Sequence, residues 1–307
     1  MEIKNILVPV DFSPPSRLAV NYGISLARKL RAKLTLLHVV ESGATLIAGF
    51  PPGRTNLAKE YRDQALRMLS ALVGPEDQDD LDLLVLMKSG EVKDEIFRTI
   101  ADQHADVVVM GTHGRGLFGR WLIGSVTEAM LRKVSIPILT VCRSMQPLSF
   151  NRILFATDLS ESSKRKFGFV LDLARTLRSD VTLLHVLEPV SVTYGGGEMA
   201  EYVNRHNAKE ARAELDRLIP ELTPEDIRID ASVVDGSAAE EILKSAELNG
   251  ADLIMITVQP KGIVERALLG TTAERVIREA DIPVLSIPAK ATEGISHKEE
   301  QETHKVL

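Results

Sequence analysis

The sequence lacks the features that mark secreted, membrane-spanning and nucleic-acid-binding proteins. Its 307 residues contain a single cysteine, Cys142, so no disulfide can form within the chain, as is typical of proteins in a reducing compartment. No stretch approaches the roughly 18 consecutive apolar residues of a membrane helix, and the N-terminus has no basic segment followed by an apolar run. The net charge of −6 is the opposite of the basic surface that binds a phosphate backbone. We therefore expect a cytoplasmic protein without a nucleic-acid or membrane partner.

Short segments recur in the two halves of the chain in the same order. Asn5–Ser13 resembles Arg152–Ser160 at an offset of 147 residues, and Leu36–Val39 recurs as Leu183–Val186 at the same offset. Two further matches, which begin near residues 105 and 136, are offset by 146 residues. Four matches in the same order, whose offset changes by only one residue, indicate that the chain is a duplication.

The length of 307 residues suits two domains of about 150 residues each. The segment that joins the two copies, residues 143–149, is short, polar and contains Pro147, as a linker should. We expect one domain over residues 1–146, a second over residues 147–290, and a disordered tail over residues 291–307, which has no apolar periodicity. Such a short linker should hold the two domains together as a pseudo-dimer.

Each copy alternates short aliphatic runs with longer segments of helical periodicity. In the first copy Ile3–Pro9 is predicted to be a strand, and Ser13 before two prolines predicts a helix start, because serine caps free N–H groups and proline suits the first turn. The corresponding helix of the second copy is predicted over Ser162–Arg178. Near-continuous apolar strands that alternate with helices predict a parallel sheet. The fold class is thus α/β, with two tandem doubly wound domains, each a five-stranded parallel sheet with helices on both faces.

A glycine-rich loop follows the fourth predicted strand and ends where a helix is predicted to begin. Its glycines are Gly111, Gly114, Gly116, Gly119 and Gly124. Glycine lets the backbone approach a ligand closely, and successive N–H groups at a helix start bind anions. Three of these glycines also fit G-x-G-x-x-G, but that fingerprint belongs after the first strand, with an acidic residue about 20 positions later, where this chain has Leu139. A NAD site is therefore rejected, and the Walker pattern is not present in the sequence.

The spacing that remains is Gly111-x2-Gly114-x9-Gly124, followed by Ser125. In this pattern the chain resembles the universal stress proteins, whose ATP-binding members carry G-x2-G-x9-G followed by serine or threonine. The other similar segments are Ile6–Ser13, Leu37–Val39 and Ile136–Ile138. The resemblance covers about residues 2–143 and 151–288, and it implies a tandem universal stress protein.

The same resemblance implies a nucleotide site in the first copy. Pro9 and Asp11 would face the nucleoside, with the Asp11 carboxylate accepting a hydrogen bond from a ribose hydroxyl, and Val39 would border the adenine. Backbone N–H groups would hold the ribose and the phosphates at Gly111, Gly114, Gly124, Ser125 and Val126. The implied cofactor is ATP, with or without Mg²⁺. An ordinary turn residue is the alternative for Asp11, and a purely structural turn is the alternative for the glycines.

Several basic side chains lie near this site in the sequence. His113 and Arg115 belong to the glycine-rich loop and could screen phosphate charge, and Arg115 is included among the nucleotide-binding residues. His38 and His185 repeat at equivalent strand ends, where a structural role is favoured over ligand binding. No group of histidine, cysteine and acidic residues has metal-ligand spacing, so no metal site is predicted.

The second copy has lost most of the loop pattern. Thr257 and Pro260 stand where the first copy has glycine, and only the helix start at Gly270 and Thr271 is retained. Threonine places a branched side chain where the backbone would approach a phosphate, and proline removes an N–H group. Losing one or two hydrogen bonds to a charged group, at about 1.5–3 kcal/mol each, weakens binding by roughly tenfold to several hundredfold. Although Asp158 keeps the acidic position of the first copy, we predict that the second site is empty, weak or repurposed.

Three kinds of function are consistent with this sequence. The one that we favour is an ATP-binding protein of stress response or signalling, in which the nucleotide regulates conformation or partner choice with at most slow hydrolysis. The second is an enzyme that adenylates or hydrolyses, although the sequence contains no His-Ile-Gly-His or Ser-Gly-Gly signature. The third is a non-catalytic scaffold whose second domain binds another small molecule or a protein. The apolar last strand of each copy also predicts self-association into a dimer.

Overall fold

The computed structural model describes residues 2–41, 55–112, 123–141, 149–189, 196–222, 227–258 and 270–289. The elements of the first half are β1 (Asn5–Pro9), α1 (Pro14–Leu30), β2 (Lys33–Glu41), α2 (Thr55–Ser70), α3 (Pro75–Asp80), β3 (Leu83–Gly90), α4 (Val92–Asp102), β4 (Val107–Gly111), α5 (Ser125–Lys133) and β5 (Ile138–Val141). The elements of the second half are β6 (Arg152–Ala156), α6 (Glu161–Lys164), α7 (Phe167–Leu177), β7 (Asp180–Leu187), α8 (Gly196–Leu222), β8 (Ile229–Asp235), α9 (Ala238–Leu248), β9 (Leu253–Val258), α10 (Thr271–Glu279) and β10 (Val284–Pro288).

The strands of both halves form one sheet with the order β3-β2-β1-β4-β5-β10-β9-β6-β7-β8. Neighbouring strands are parallel within each half, whereas β5 and β10 pair antiparallel where the halves meet. Leu139 lies opposite Leu285 in this pair. Because these two leucines are equivalent residues of the duplication, the halves are related by a local twofold axis at this point. The predicted α/β pseudo-dimer is confirmed, and its two sheets are joined into one.

Strand side chains alternate between two apolar layers, one on each face of the sheet. Ile6 and Val8 of β1 belong to the layer that contains residues of α1, α2, α7 and α8, whereas Leu7 belongs to the layer that contains residues of α4, α5, α9 and α10. Each layer runs through both halves of the chain. Burying a large aliphatic side chain contributes about 1.5–3 kcal/mol, so the continuous layers hold the two halves together as well as each sheet to its helices.

The predicted start of the first helix is confirmed. Ser13 is the N-cap of α1, its Oγ accepts a hydrogen bond from the N–H of Ser16 at 3.4 Å, and Pro14 occupies the first helical position. The helix ends at Arg31, which has a left-handed backbone with φ of 53°.

The corresponding helix of the second half is divided, so the prediction of one helix over Ser162–Arg178 was wrong. Ser160 caps α6 in the same way as Ser13 caps α1. At Lys166 the N–H bonds to the carbonyl of Ser163, three residues back, at 3.0 Å. Such a bond closes a tighter turn than an α-helix has, and α7 begins only after it.

The two halves also meet through their helices. The ring of Tyr22 in α1 lies edge-on to the ring of Phe150, with centroids 6.1 Å apart, and the ammonium group of Lys29 lies 5.9 Å from the same Phe150 centroid. Phe150 precedes β6, so these contacts tie the first helix of one half to the first strand of the other. Among the helices within the described ranges, none is long and apolar enough to span a bilayer.

Candidate functional site

Several of the predicted nucleotide residues of the first half lie at the edge of the sheet where β1, β2 and β4 end. This edge is called the first carboxyl edge, and its counterpart, at the ends of β6, β7 and β9, the second carboxyl edge. β1 pairs with β2 on one side and with β4 on the other, so the strand order reverses here. Ligands of doubly wound sheets bind at such switch points. Pro9, Val39 and Gly111 are on these strands, and Asp11 follows the first of them.

Asp11 forms the turn that leads from β1 into α1. Its Oδ1 accepts hydrogen bonds from the N–H of Ser13 at 3.0 Å and from the hydroxyl of Ser13 at 2.6 Å. Phe12, between them, has a left-handed backbone with φ of 64°. Oδ1 of Asp11 therefore stabilises the turn, which is the structural role considered as the alternative to ligand binding. The side chain is half-buried at the switch point.

The two ends of the glycine-rich loop are held together. The N–H of Gly124 donates to the carbonyl of Thr112 at 2.7 Å, and the hydroxyl of Thr127 donates to the carbonyl of Gly111 at 2.8 Å. These bonds place the start of α5 beside the end of β4. Gly114, Arg115 and His113, predicted within the loop, lie outside the described residues.

Gly111 is required by the packing of the protein itself. A Cβ atom at this position would lie 2.7 Å from Cβ and 2.8 Å from the carbonyl carbon of Pro15 in α1. Such distances are not compatible with a side chain unless the helix moves. Sequence reasoning attributed this glycine to the approach of a phosphate, whereas helix packing gives a sufficient reason for it.

The start of α5 leaves backbone donors at the first carboxyl edge. Gly124 is the N-cap residue with an extended backbone, and it makes no side-chain capping bond. The first N–H groups of a helix have no partner within the helix, and their dipoles favour an anion. Ser125 is exposed at this end and Val126 is half-buried, so the geometry is suitable for holding a negatively charged group.

The two repeated histidines have a structural role. Nδ1 of His38 lies 2.7 Å from the carbonyl oxygen of Val10, and Nδ1 of His185 lies 2.8 Å from that of Thr157. Because a carbonyl oxygen only accepts, each Nδ1 carries the proton and donates it. The ring of His38 also contacts Phe12, at 4.7 Å between centroids. Each imidazole thus fixes the segment that follows the first strand of its half.

The turn at the second carboxyl edge repeats that of the first. Oδ1 of Asp158 accepts from the N–H of Ser160 at 3.0 Å and from its hydroxyl at 2.6 Å, and Leu159 has a φ of 56°. The retained aspartate is therefore explained by the turn alone. Its presence in the second half is not by itself a sign of a retained nucleotide site.

A cavity of about 260 Å³ opens at the second carboxyl edge. It is lined by Ala156, Thr157, Asp158, Ser163, Leu184, Val186, Ala238, Ile242, Ile256, Thr257, Val258, Gly270, Thr271, Thr272 and Ala273. Sequence reasoning considered Asp158, Thr257, Gly270 and Thr271 for the second site and missed most of the other lining residues, among them Thr157 and Ser163. An alignment of the two halves could have pointed to Thr157, because the equivalent residue of the first half is Val10. Ser163 gives no such signal, because its equivalent, Ser16, is also a serine.

Hydroxyl groups form a chain along one wall of this cavity. Oγ1 of Thr157 accepts from the N–H of Leu159 at 3.1 Å and lies 2.9 Å from Oγ of Ser163. Oγ of Ser163 in turn lies 3.4 Å from Oγ1 of Thr257. In the first half the equivalents of Thr157 and Thr257 are Val10 and Gly111, so this chain belongs to the second half alone.

One of the two ion pairs of Arg275 ties α10 to α9 beside the cavity, and the other lies within α10. The guanidinium of Arg275 bonds to Glu240 of α9 at 2.9 Å and to Glu279 at 3.2 Å. These bonds, that to Glu240 first, raise the pKa of Arg275 above its ordinary value. Its positive charge is already matched within the protein. Across the described part of the chain, no cluster of three or more His, Cys, Asp or Glu side chains is arranged to hold a metal ion.

Comparison with known proteins identifies relatives over nearly the whole chain. The model of the universal stress protein family matches twice, at residues 2–141 and 149–288. A universal stress protein of Mycolicibacterium smegmatis is 26% identical over 301 residues, which cover 92% of this chain and 96% of that protein.

Solved structures show the same fold. The crystal structure of a universal stress protein from Archaeoglobus fulgidus matches with a TM-score of 0.65 and 21% identity, over 94% of this chain and all of that one. A Pseudomonas aeruginosa protein matches with a TM-score of 0.62 and 15% identity, over 93% of this chain and 92% of that one. Both similarities extend across the two halves.

Proposed function

Because the chain belongs to the universal stress protein family, we propose that it acts in stress response or signalling by binding ATP, with or without Mg²⁺, at the first carboxyl edge. Nucleotide binding would bias the conformation of the chain or its choice of partner. The observation that carries the proposal is the bond between Gly124 and Thr112. It sets the start of α5 at the switch point, where a helix start and strand ends can face one ligand.

The triphosphate is assigned to the start of α5. The first N–H groups of α5, the exposed Ser125 and the sequence of the glycine-rich loop all favour an anion. Gly114 and Arg115 remain assigned to the phosphates on the family resemblance alone. The assignment requires no net positive charge on the chain, because backbone donors supply the attraction.

The nucleoside is assigned to the ends of β1 and β2. Asp11 lies beyond Pro9, and Val39 is half-buried on the neighbouring strand. A carboxylate can accept a hydrogen bond from a ribose hydroxyl, and such charge-assisted bonds are stronger than neutral ones. The apolar side chain of Val39 offers contact area for a base.

A dedicated catalytic cycle is not part of this proposal. Phosphoryl transfer needs a residue that orients the attacking group and carboxylates that hold a metal. Asp11 is the carboxylate assigned to the site, and its Oδ1 is engaged by Ser13. Slow hydrolysis of bound ATP is the most that we assign to it.

A charge placed at the start of α5 tests this proposal without disturbing the fold. Ser125→Glu adds a carboxylate that is stabilised by the helix N-terminus. The same carboxylate repels a triphosphate, so ATP affinity should fall at least about tenfold. Thr271→Glu is the matched control, because Thr271 is the exposed first residue of α10 in the second half. Both variants and the parent chain would be titrated with ATP by calorimetry after bound nucleotide has been removed.

The parent chain should also release adenine nucleotide when it is purified and treated with acid, in an amount close to equimolar with the chain. ATP affinity that is unchanged in Ser125→Glu would overturn the assignment. Loss of affinity in Thr271→Glu instead would place the nucleotide in the second half. Substitution of Gly111 is unsuitable for this purpose, since a side chain there collides with Pro15.

A further inference from the structure

We propose that the cavity at the second carboxyl edge binds a small uncharged ligand that carries several hydroxyl groups. This site is separate from the ATP site proposed for the first half, and it uses different groups. Its ligand would be held by side-chain hydroxyls, one carboxylate and an apolar wall. The backbone donors of a glycine-rich loop are not needed for it.

The size of the cavity limits the ligand. Its volume of about 260 Å³ is below the range of about 300–1,000 Å³ that is typical of pockets for drug-sized molecules. Leu184, Val186 and Ile242 contribute apolar side chains to the lining. This combination suits the carbon skeleton of a sugar or a nucleoside, with hydroxyl groups directed to the polar wall.

Thr257 offers a hydrogen-bond donor on the polar wall. Oγ1 of Thr157 accepts from the N–H of Leu159 and shares a hydrogen bond with Oγ of Ser163 at 2.9 Å. The contact from Ser163 to Thr257 is 3.4 Å, which is longer than an ordinary hydrogen bond between hydroxyls. The hydroxyl of Thr257 is half-buried and only weakly satisfied, and it can turn towards an acceptor in the cavity.

Asp158 supplies an acceptor for a ligand hydroxyl. It is the charged side chain among the described residues that line the cavity, and its Oδ1 is engaged by Ser160. A carboxylate accepts from ligand hydroxyls, which is the role proposed for Asp11 towards a ribose hydroxyl in the first half. Arg275, on the helix that borders the cavity, is paired with Glu240 and Glu279.

The sequence of the second half is consistent with the loss of phosphate binding. Thr257 stands at the position of Gly111, and Pro260, which has no N–H group, stands at that of Gly114. Together with Thr157 in place of Val10, the first change also completes the hydroxyl chain, because Gly111 has no side chain. It thus adds a donor for a hydroxylated ligand.

Methyl NMR of the full chain provides a site-resolved test. Ile242 and Ile256 line the cavity, whereas Ile123 precedes Gly124 in the first half, so labelled isoleucine methyls report on the two sites separately. The probes are two matched pairs, uridine with UMP and D-ribose with D-ribose 5-phosphate. We expect the uncharged member of at least one pair to shift Ile242 and Ile256 saturably. The phosphate should require at least about tenfold higher concentration, because its charge would be desolvated without a glycine-rich loop to bind it.

Equal or tighter binding of the phosphates would overturn the proposal, as would the absence of any shift of Ile242 and Ile256 with all four probes. The shifts of Ile123 are read separately. They report on the first half, so the outcome for one site does not decide the outcome for the other.

A single substitution tests the role assigned to Thr257. Thr257→Val keeps the shape of the side chain and removes its hydroxyl, and it should weaken binding of the uncharged probe by about three- to tenfold. Thr182→Val is the matched control, because Thr182 lies on β7 and is not part of the lining. Unchanged binding by Thr257→Val, or an equal loss in both variants, would contradict the role of this hydroxyl.

Discussion

At the first carboxyl edge the backbone of Gly111 lies against Pro15, whereas at the second the side chain of Thr257 lies against Ser163. Around this difference the two halves keep the same framework. Each has an aspartate turn with a left-handed residue, and each has a histidine that donates from Nδ1 to the segment after the first strand. Duplication has therefore preserved the groups that shape the edge, while the groups that line it have diverged.

The comparison separates structural from functional reasons for a residue. Asp158 persists where the glycine-rich pattern has been lost, and its Oδ1 holds the turn into α6. Gly111 is fixed by the close approach of α1, so its replacement by threonine requires a different helix position. In the second half, α6 ends in a tight turn at Lys166, whereas α1 continues without a break.

The largest change in stability is expected when Gly111 and Thr257 are each replaced by the residue of the other half. Gly111→Thr should destabilise the first half by about 3 kcal/mol, at the upper end of the cost of overpacking, because its Cβ meets backbone as well as side-chain atoms of Pro15. Thr257→Gly should cost about 1 kcal/mol, through the lower strand propensity of glycine. Amide hydrogen exchange in β4 and β9 of each variant measures the two effects locally.

Similar losses of protection in the two variants would show that the strands and helices are equally close in both halves. That result would remove the packing explanation for Gly111. Full protection of β4 in Gly111→Thr would have the same consequence, since a cost of about 3 kcal/mol corresponds to more than a hundredfold change in opening.

Replacement of the paired histidines, His38 and His185, should reveal a smaller difference in stability between the two halves. His38 is 7% exposed and contacts Phe12, whereas His185 is half-buried. We expect His38→Ala to cost about 2–3 kcal/mol, as the loss of a buried hydrogen bond and of packing, and His185→Ala about 1 kcal/mol. Urea unfolding monitored by hydrogen exchange in β1 and β6 compares them.

The asparagine variants provide the control for the histidines, because the amide nitrogen of asparagine can donate from nearly the position of Nδ1. His38→Asn and His185→Asn should recover part of each loss. No recovery in either half would mean that the bonds to Val10 and Thr157 contribute little, and that packing of the ring accounts for the effect.

Much of the framework could be predicted from sequence, because it depends on patterns that lie close together along the chain. The repeat, the parallel strands and the cap at Ser13 follow from periodicity and local residue preferences. Pro9, Asp11, Val39 and Gly111 could be placed at one edge because the carboxyl ends of parallel strands lie together. The prediction of a structural role for His38 and His185 agrees with their bonds to backbone carbonyls.

The features that escaped prediction depend on contacts between distant segments. Thr157 and Thr257 are common residue types 100 positions apart, and nothing in their local sequence indicates that Ser163 connects them. The apolar last strand of each copy predicted association between chains, whereas β5 and β10 use these edges within one chain. Self-association into a dimer remains a prediction, and it would need another surface.

The smallest effect is expected when Asp11 and Asp158 are replaced. It distinguishes the role of each aspartate in its turn from a role in ligand binding. Asparagine keeps a carbonyl oxygen that accepts from Ser13 or Ser160, so Asp11→Asn and Asp158→Asn should both fold with unchanged thermal unfolding. Only Asp11→Asn should lower the affinity for ATP, by about five- to tenfold, because the hydrogen bond from the ribose hydroxyl then goes to a neutral acceptor instead of a charged one. Calorimetric titration of both variants measures this difference. Equal ATP affinities would assign Asp11 to the turn alone, and the similarity of the two turns would then extend to their function.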